Sequence, residues 1–92
     1  MTEEQARFYA MQYCKFHGLN SKNLDNLTFV HVRSSMHGED SYLVLAPLTP
    51  EQLELYNLHE GLMYDRETQR RCVLIVYDTG EFQETEYTRE YL

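Results

Sequence analysis

The sequence predicts an α+β domain, in which a small antiparallel sheet of four to five strands carries two helices packed on one face. The first observation is a β-branched apolar run at 72–77 that stops at the turn residues of 78–80, which is typical of a strand leading into a hairpin. The others are two segments, 3–17 and 50–59, that each follow a helix-capping sequence. The predicted order is α-β-β-α-β-β-β over one domain of 92 residues, and strand runs interrupted by helices favour this class.

The composition restricts the partners. The chain has 15 acidic and 8 basic residues, for a net charge of −7. Such a surface repels phosphate backbones and anionic membranes, so we expect no direct nucleic-acid binding and no membrane association, while a basic protein partner is permitted. No apolar run approaches the roughly 20 residues that span a bilayer. The N-terminus lacks the basic and apolar regions of a signal peptide, so we expect a cytoplasmic protein.

The first predicted helix begins at a capping box, in which the Thr2 hydroxyl accepts from the Gln5 amide and the Gln5 side chain reaches back. It ends before Gly18, a suitable residue for the position after a helix terminus. The residues at helical spacing that should face the sheet are Ala6, Tyr9, Ala10, Tyr13, Cys14 and His17.

Two strand candidates follow, at 27–33 and 42–46, and predict an antiparallel hairpin with a long tip. In the first of them, Leu27, Phe29 and His31 should share one face, with Thr28, Val30 and Val32 on the other. Pro47 ends the second strand, and Thr49 with Gln52 forms the capping box of the second helix.

The last part of the chain predicts a brief strand at 62–64, a central strand at 72–77 and an edge strand at 82–88. Strict alternation in the central strand places two sets of side chains on opposite faces: Val73, Ile75 and Tyr77 on one, and Cys72, Leu74 and Val76 on the other.

The strands at 42–46 and 72–77 are apolar on both faces, although only two helices are predicted, both on one face. The other face then needs a cover, because an exposed apolar sheet face promotes association. The C-terminal segment or a second copy of the chain could supply this cover, and we predict the second copy: a homodimer that uses the second sheet face or a sheet edge.

The sequence contains only weak indications of a catalytic or metal site. The Asp78-Thr79-Gly80 triplet also occurs in aspartic proteases, but that chemistry needs two such aspartates, and retroviral-type enzymes carry the triplet early in the chain. We interpret it as a hairpin tip. Cys14 and His17 form one pair of possible metal ligands, whereas structural zinc sites use two pairs. The sequence therefore predicts no catalytic, cofactor or metal residues.

The cysteines, Cys14 and Cys72, are expected to be buried reduced thiols, with a disulfide as the alternative for a secreted chain. The basic cluster Arg66, Arg70 and Arg71 can hold an anion or an acidic partner, but its interleaved acids favour solvated residues beside a strand.

The candidate binding site is the acidic, tyrosine-bearing C-terminal stretch. On an extended strand, residues of one face repeat at about 6.6–6.8 Å, close to the phosphate spacing of a single strand. This pattern predicts a protein-binding surface and, in its sharpest form, an inhibitor that occupies the basic groove of a nucleic-acid-handling enzyme. A charged edge that only prevents unwanted pairing is the simpler interpretation. The candidate residues are Glu81, Glu84, Glu86, Tyr87, Glu90 and Tyr91.

The alternative from another class is a small enzyme or ligand-binding domain. Its pocket would lie between the first helix and the sheet, lined by Tyr9, Tyr13 and His17.

Overall fold

The computed structural model describes residues 1–33, 40–58 and 71–92. The predicted α+β class is confirmed, with one four-stranded antiparallel sheet in the order β1-β2-β3-β4. In the described ranges, no helix is both long and apolar enough to cross a membrane. The predicted strand at 62–64 lies outside these ranges. The elements are α1 (Glu3–Phe16), a 3₁₀ helix (Ser21–Asn26), β1 (Thr28–Arg33), β2 (Asp40–Leu45), α2 (Pro50–Leu58), β3 (Cys72–Tyr77), β4 (Phe82–Glu84) and α3 (Thr88–Tyr91).

Helix α1 begins and ends as the sequence predicts. Both hydrogen bonds of the capping box form, from the Gln5 amide to the Thr2 hydroxyl at 3.2 Å and from the Thr2 amide to Gln5 Oε1 at 2.9 Å. At the other end Gly18 adopts φ 68°, a conformation that costs glycine little. The Leu19 amide then donates to the Cys14 carbonyl at 2.8 Å, which is the long bond of a Schellman motif.

The face of α1 toward the sheet consists of small side chains. Ala6, Ala10 and Cys14 follow each other at intervals of four residues and are completely buried. Because a helix with small residues on one stripe can approach its neighbour closely, the larger residues beside this stripe lie at the flanks of the contact. Tyr9 and Tyr13 are accordingly only partly buried.

The first hairpin has the predicted faces. Strands β1 and β2 pair from Thr28 opposite Leu45 to Arg33 opposite Asp40. Phe29 packs in the core cluster beneath α1, and Val30 packs in the cluster on the other face of the sheet.

Strand β3 departs from strict alternation. Leu45 pairs with Cys72 and Val44 with Leu74, so Val73 is an extra residue in a β-bulge. Both Val73 and Leu74 join the core cluster beneath α1, whereas Cys72 joins Ile75 on the other face. The predicted faces are therefore wrong at the start of this strand, because a bulge shifts the alternation by one residue.

The turn between β3 and β4 confirms the predicted hairpin tip. The Gly80 amide donates to the Tyr77 carbonyl at 3.0 Å, and the Tyr77 amide donates to the Glu81 carbonyl at 2.9 Å. Gly80 has φ 86°, as expected of the last residue in a three-residue hairpin loop. Asp78 and Thr79 are exposed members of this turn.

Strand β4 is shorter than the predicted 82–88, and the residues from Thr88 onward form a helical turn instead. The cause is a pair of threonine hydroxyls that bond to the bulge. Thr85 donates to the Cys72 carbonyl and Thr88 donates to the Val73 carbonyl, while the Thr88 hydroxyl accepts from the Thr85 amide at 2.9 Å. These side-chain bonds replace strand pairing and turn the chain away from β3.

In the described residues, the central part of the sheet is buried on both faces within the single chain. On the face opposite α1, Leu43, Leu45 and Ile75 are at most 7% exposed, and Leu48 packs against them. This face is therefore buried without a second chain, and its burial gives no reason to expect a dimer. Whether the protein is a homodimer stays a prediction.

Helix α2 begins at its predicted capping box. The Gln52 amide donates to the Thr49 hydroxyl at 3.3 Å, and the Thr49 amide donates to Gln52 Oε1 at 3.0 Å. The same oxygen accepts from Arg71 Nη1 at 3.3 Å, so Arg71 links the start of β3 to α2. Arg66 and Arg70 lie outside the described residues.

Replacing Thr88 with valine should destabilise the protein by about 1–3 kcal/mol, because the buried Val73 carbonyl and Thr85 amide lose their partner. Urea unfolding measures the change. The matched control, Thr79→Val at the exposed hairpin tip, should stay within about 0.5 kcal/mol. Equal stability of the Thr88 variant and the wild type would contradict the assigned role.

A candidate binding groove between α1 and β4

An open groove of about 450 Å³ lies where the last turn of α1 meets β4. Its walls come from both elements, because the sheet-facing stripe of α1 is small and leaves the larger flanking side chains beside β4. We call this the α1–β4 groove; its lining residues are Gln12, Tyr13, Phe16, His17 and Phe82.

The groove contains a row of three rings. The Tyr13 ring centroid lies 4.2 Å from that of His17 and 4.7 Å from that of Phe82, with planes inclined by 37° and 38°. Such spacing is typical of favourable aromatic contacts. Phe16 stands at the mouth with 87% of its surface exposed, and its ring makes an edge contact with His17 at 5.4 Å.

Tyr13 is the middle ring of this row. Burial, followed by a hydrogen bond to Glu84, raises the pKa of Tyr13 to about 12. The phenol therefore keeps its proton at neutral pH, and its hydroxyl can donate to the Glu84 carboxylate.

Glu84 is a carboxylate beside the groove. It lies two residues after Phe82 on β4, hence on the same face of the strand. Glu84 Oε1 lies 3.3 Å from Arg89 Nη2. Both charged side chains are solvent-accessible, at 39% for Glu84 and 62% for Arg89.

The structure separates the six predicted binding residues into different settings. Glu84 borders the groove. Tyr87 packs against the core, and its ring makes an edge contact with Tyr91, which is 37% exposed. The remaining acids, Glu81, Glu86 and Glu90, are exposed.

These carboxylates do not form the predicted row along one extended strand. Strand β4 ends at Glu84, and Glu90 belongs to the helical turn α3. The regular phosphate-like spacing is therefore wrong for this stretch, because the threonine hydroxyls at 85 and 88 end the strand.

The predicted pocket between helix and sheet is partly recovered. Tyr13 and His17 line the groove, whereas Tyr9 packs against the core cluster and does not line it. Sequence reasoning missed Phe16 and Phe82 as lining residues. A usable signal was present, since Phe16 lies three residues after Tyr13 on one helix and Phe82 directly follows the hairpin tip.

The two cysteines lie on opposite faces of the sheet and are free thiols. Burial raises the pKa of the Cys14 thiol and raises that of Cys72 to about 12. The Cys72 thiol also donates to the Leu74 carbonyl at 3.5 Å. His17 is exposed while Cys14 is fully buried, and within the described ranges no three metal-ligating side chains converge.

A second polar cluster lies on the sheet beyond the start of α1. The His31 ring stacks on Tyr42 with centroids 5.0 Å apart, and His31 Nε2 lies 3.5 Å from Asp40 Oδ2. Burial, with Glu3 and Asp40 nearby, raises the pKa of Tyr42. These contacts join side chains of the neighbouring strands β1 and β2.

Comparisons of this chain with protein-family models, curated proteins and solved structures find no match.

The native thiols should react slowly with a disulfide reagent at pH 8. With a pKa near 12, only about one Cys72 side chain in ten thousand is ionised at that pH, and burial also blocks access. Absorbance of the released thiol should show two reactive cysteines per chain in denaturant and a rate at least about a hundredfold lower in the native protein. Rapid native labelling of Cys72, located by peptide mapping, would contradict the burial.

Stability should fall between about pH 10 and pH 12 partly through Tyr13. Below pH 10 the phenol is protonated in both states; above it, unfolding releases a proton because the native pKa is about 12. Urea midpoints at pH 9 and pH 11 should therefore differ less for Tyr13→Phe than for the wild type. The other tyrosines are common to both proteins, so equal pH dependence would contradict the assignment.

Proposed function

We propose that this protein acts by binding another protein, through the α1–β4 groove and the acidic residues beside it. The observation that carries the proposal is the position of Phe16, 87% exposed at the mouth of a groove lined by three further aromatic side chains. Single exposed apolar residues are common, but aromatic side chains gathered at one concave place are typical of interface centres.

The charge of the chain supports a basic partner. The net charge is −7, and Glu81, Glu84, Glu86 and Glu90 all lie in the segment that forms β4 and α3. The proposed partner is a protein with a basic surface. An example is a nucleic-acid-handling enzyme, which the protein would inhibit by occupying its basic groove. The partner would contact the aromatic groove and the carboxylates at its rim. The regular row of carboxylates that a phosphate mimic requires would not be part of this contact.

A small-molecule ligand is the second candidate. The groove volume of about 450 Å³ lies within the range of roughly 300–1,000 Å³ that is usual for ligand sites. Tyr13 and His17 supply polar atoms beside the aromatic faces, which favours a planar polar ligand.

Cytoplasmic location and a homodimer also stay proposals. With the sheet face opposite α1 already buried, a dimer would use the α1–β4 groove or a sheet edge. Light scattering on the isolated chain distinguishes one chain from two at micromolar concentration.

The test is capture of partners from a lysate of the source cell with the tagged chain, followed by elution at low and then high salt and mass spectrometry. We expect one stoichiometric protein that is released by salt, because a charged rim contributes to the contact. Phe16→Ala should abolish capture. The matched control Phe8→Ala removes a 52% exposed ring from the same helix, outside the groove lining, and should retain capture.

Retention of the same partner by Phe16→Ala would contradict binding through the groove. Absence of any protein that depends on Phe16 would favour the small-molecule candidate, which a mass-spectrometric search of the purified chain for bound compounds then addresses.

A further inference from the structure

The α1–β4 groove combines two features that a guanidinium group recognises. The first is a set of ring faces, with Tyr13 between His17 and Phe82. The second is the Glu84 carboxylate, which lies on the same face of β4 as Phe82, opposite Leu74 of β3. A planar cation can lie over an aromatic face and pair with a carboxylate at the same time.

The chain already holds one arginine in this way. The guanidinium carbon of Arg7 lies 4.4 Å from the ring centroid of Phe29, and its Nε lies 3.3 Å from Glu3 Oε2. A ring and a carboxylate together therefore accommodate a guanidinium elsewhere in this protein, at its partly exposed surface.

We propose that the α1–β4 groove binds an arginine side chain of a partner protein, with the guanidinium over the Tyr13–Phe82 rings and paired with Glu84. This inference rests on the proposed protein-binding function and names the chemistry of the partner. The exposed ring of Phe16 covers the aliphatic part of the bound arginine.

Glu84 has the capacity for a further donor. An ionised carboxylate accepts about four hydrogen bonds, and among the described residues its ion-pair partner is Arg89, at 3.3 Å. Since Arg89 is 62% exposed, its ion pair with Glu84 is weak and can rearrange to admit a second guanidinium.

The chemistry favours arginine over lysine. The guanidinium is planar and weakly hydrated, so it stacks on aromatic faces and pairs side-on with a carboxylate. An ammonium group is compact and strongly hydrated, and it loses more hydration when it enters a groove lined by Phe16 and Phe82. The negative net charge of the chain attracts either cation equally.

The test uses three blocked tripeptides and the full chain labelled with ¹⁵N. The probes are acetyl-Leu-Arg-Leu-amide, its lysine counterpart and its citrulline counterpart, which keeps the shape of arginine without the charge. We expect the arginine peptide to shift the amide signals of α1 residues 12–17 and of β4 saturably. It should bind about fivefold or more tightly than the other two peptides.

Two pairs of variants separate the groove from general charge and apolar effects. Glu84→Gln should weaken the arginine peptide about fivefold or more, whereas Glu86→Gln, which removes the same charge from an exposed neighbour, should not. Phe16→Ala should also weaken it, and Phe8→Ala should not.

The proposal is overturned if the citrulline or lysine peptide binds as tightly as the arginine peptide, if the two glutamate variants behave alike, or if no peptide shifts the groove signals at millimolar concentration. None of these results contradicts the protein-binding function if capture of a partner from the lysate still depends on Phe16. If capture from the lysate does not depend on Phe16, the protein-binding function is rejected, whatever the peptides show.

Discussion

The bulge at Val73 and the two threonine hydroxyls that bond to it are the constraint on which the arrangement of the C-terminal part depends. Strand β3 is buried on both faces, so each of its backbone carbonyls requires a hydrogen-bond partner. At the bulge, regular pairing is interrupted, and the hydroxyls of Thr85 and Thr88 supply these partners. The same bonds end β4 and begin the helical turn α3.

The position of the groove follows from this constraint. Because β4 is only three residues long, Phe82 and Glu84 are the residues of its α1-side face, and Arg89 returns to pair with Glu84. A longer strand would have extended the row of carboxylates past α1. The short strand leaves Glu84 as the carboxylate of β4 beside the rings of Tyr13 and Phe82.

Helix α1 supplies the other wall of the groove through its small stripe. Ala6, Ala10 and Cys14 permit close contact with the sheet, and the aromatic residues on the flank then lie beside β4 and outside the closely packed core. The result is a concave surface with ring faces beside the Glu84 carboxylate. The buried thiols, whose pKa values are raised by burial, do not line this surface and lie in the core clusters of the two sheet faces.

The sequence by itself determined the features that depend on local chemistry: both capping boxes, the helix end at Gly18, the strands at the apolar runs and the hairpin tip closed by Gly80. Each of these depends on hydrogen bonds or backbone preferences within a few residues. The bulge at Val73, the early end of β4 and the burial of the second sheet face were decided only by the tertiary structure. They depend on contacts between residues that are far apart in the sequence. The two threonine hydrogen bonds, for example, join residues 13 and 15 positions apart, and hydrophobic periodicity does not predict such contacts. For the same reason the candidate residues Tyr13, His17 and Glu84 were visible in the sequence, while their meeting with Phe16 and Phe82 in one groove was not.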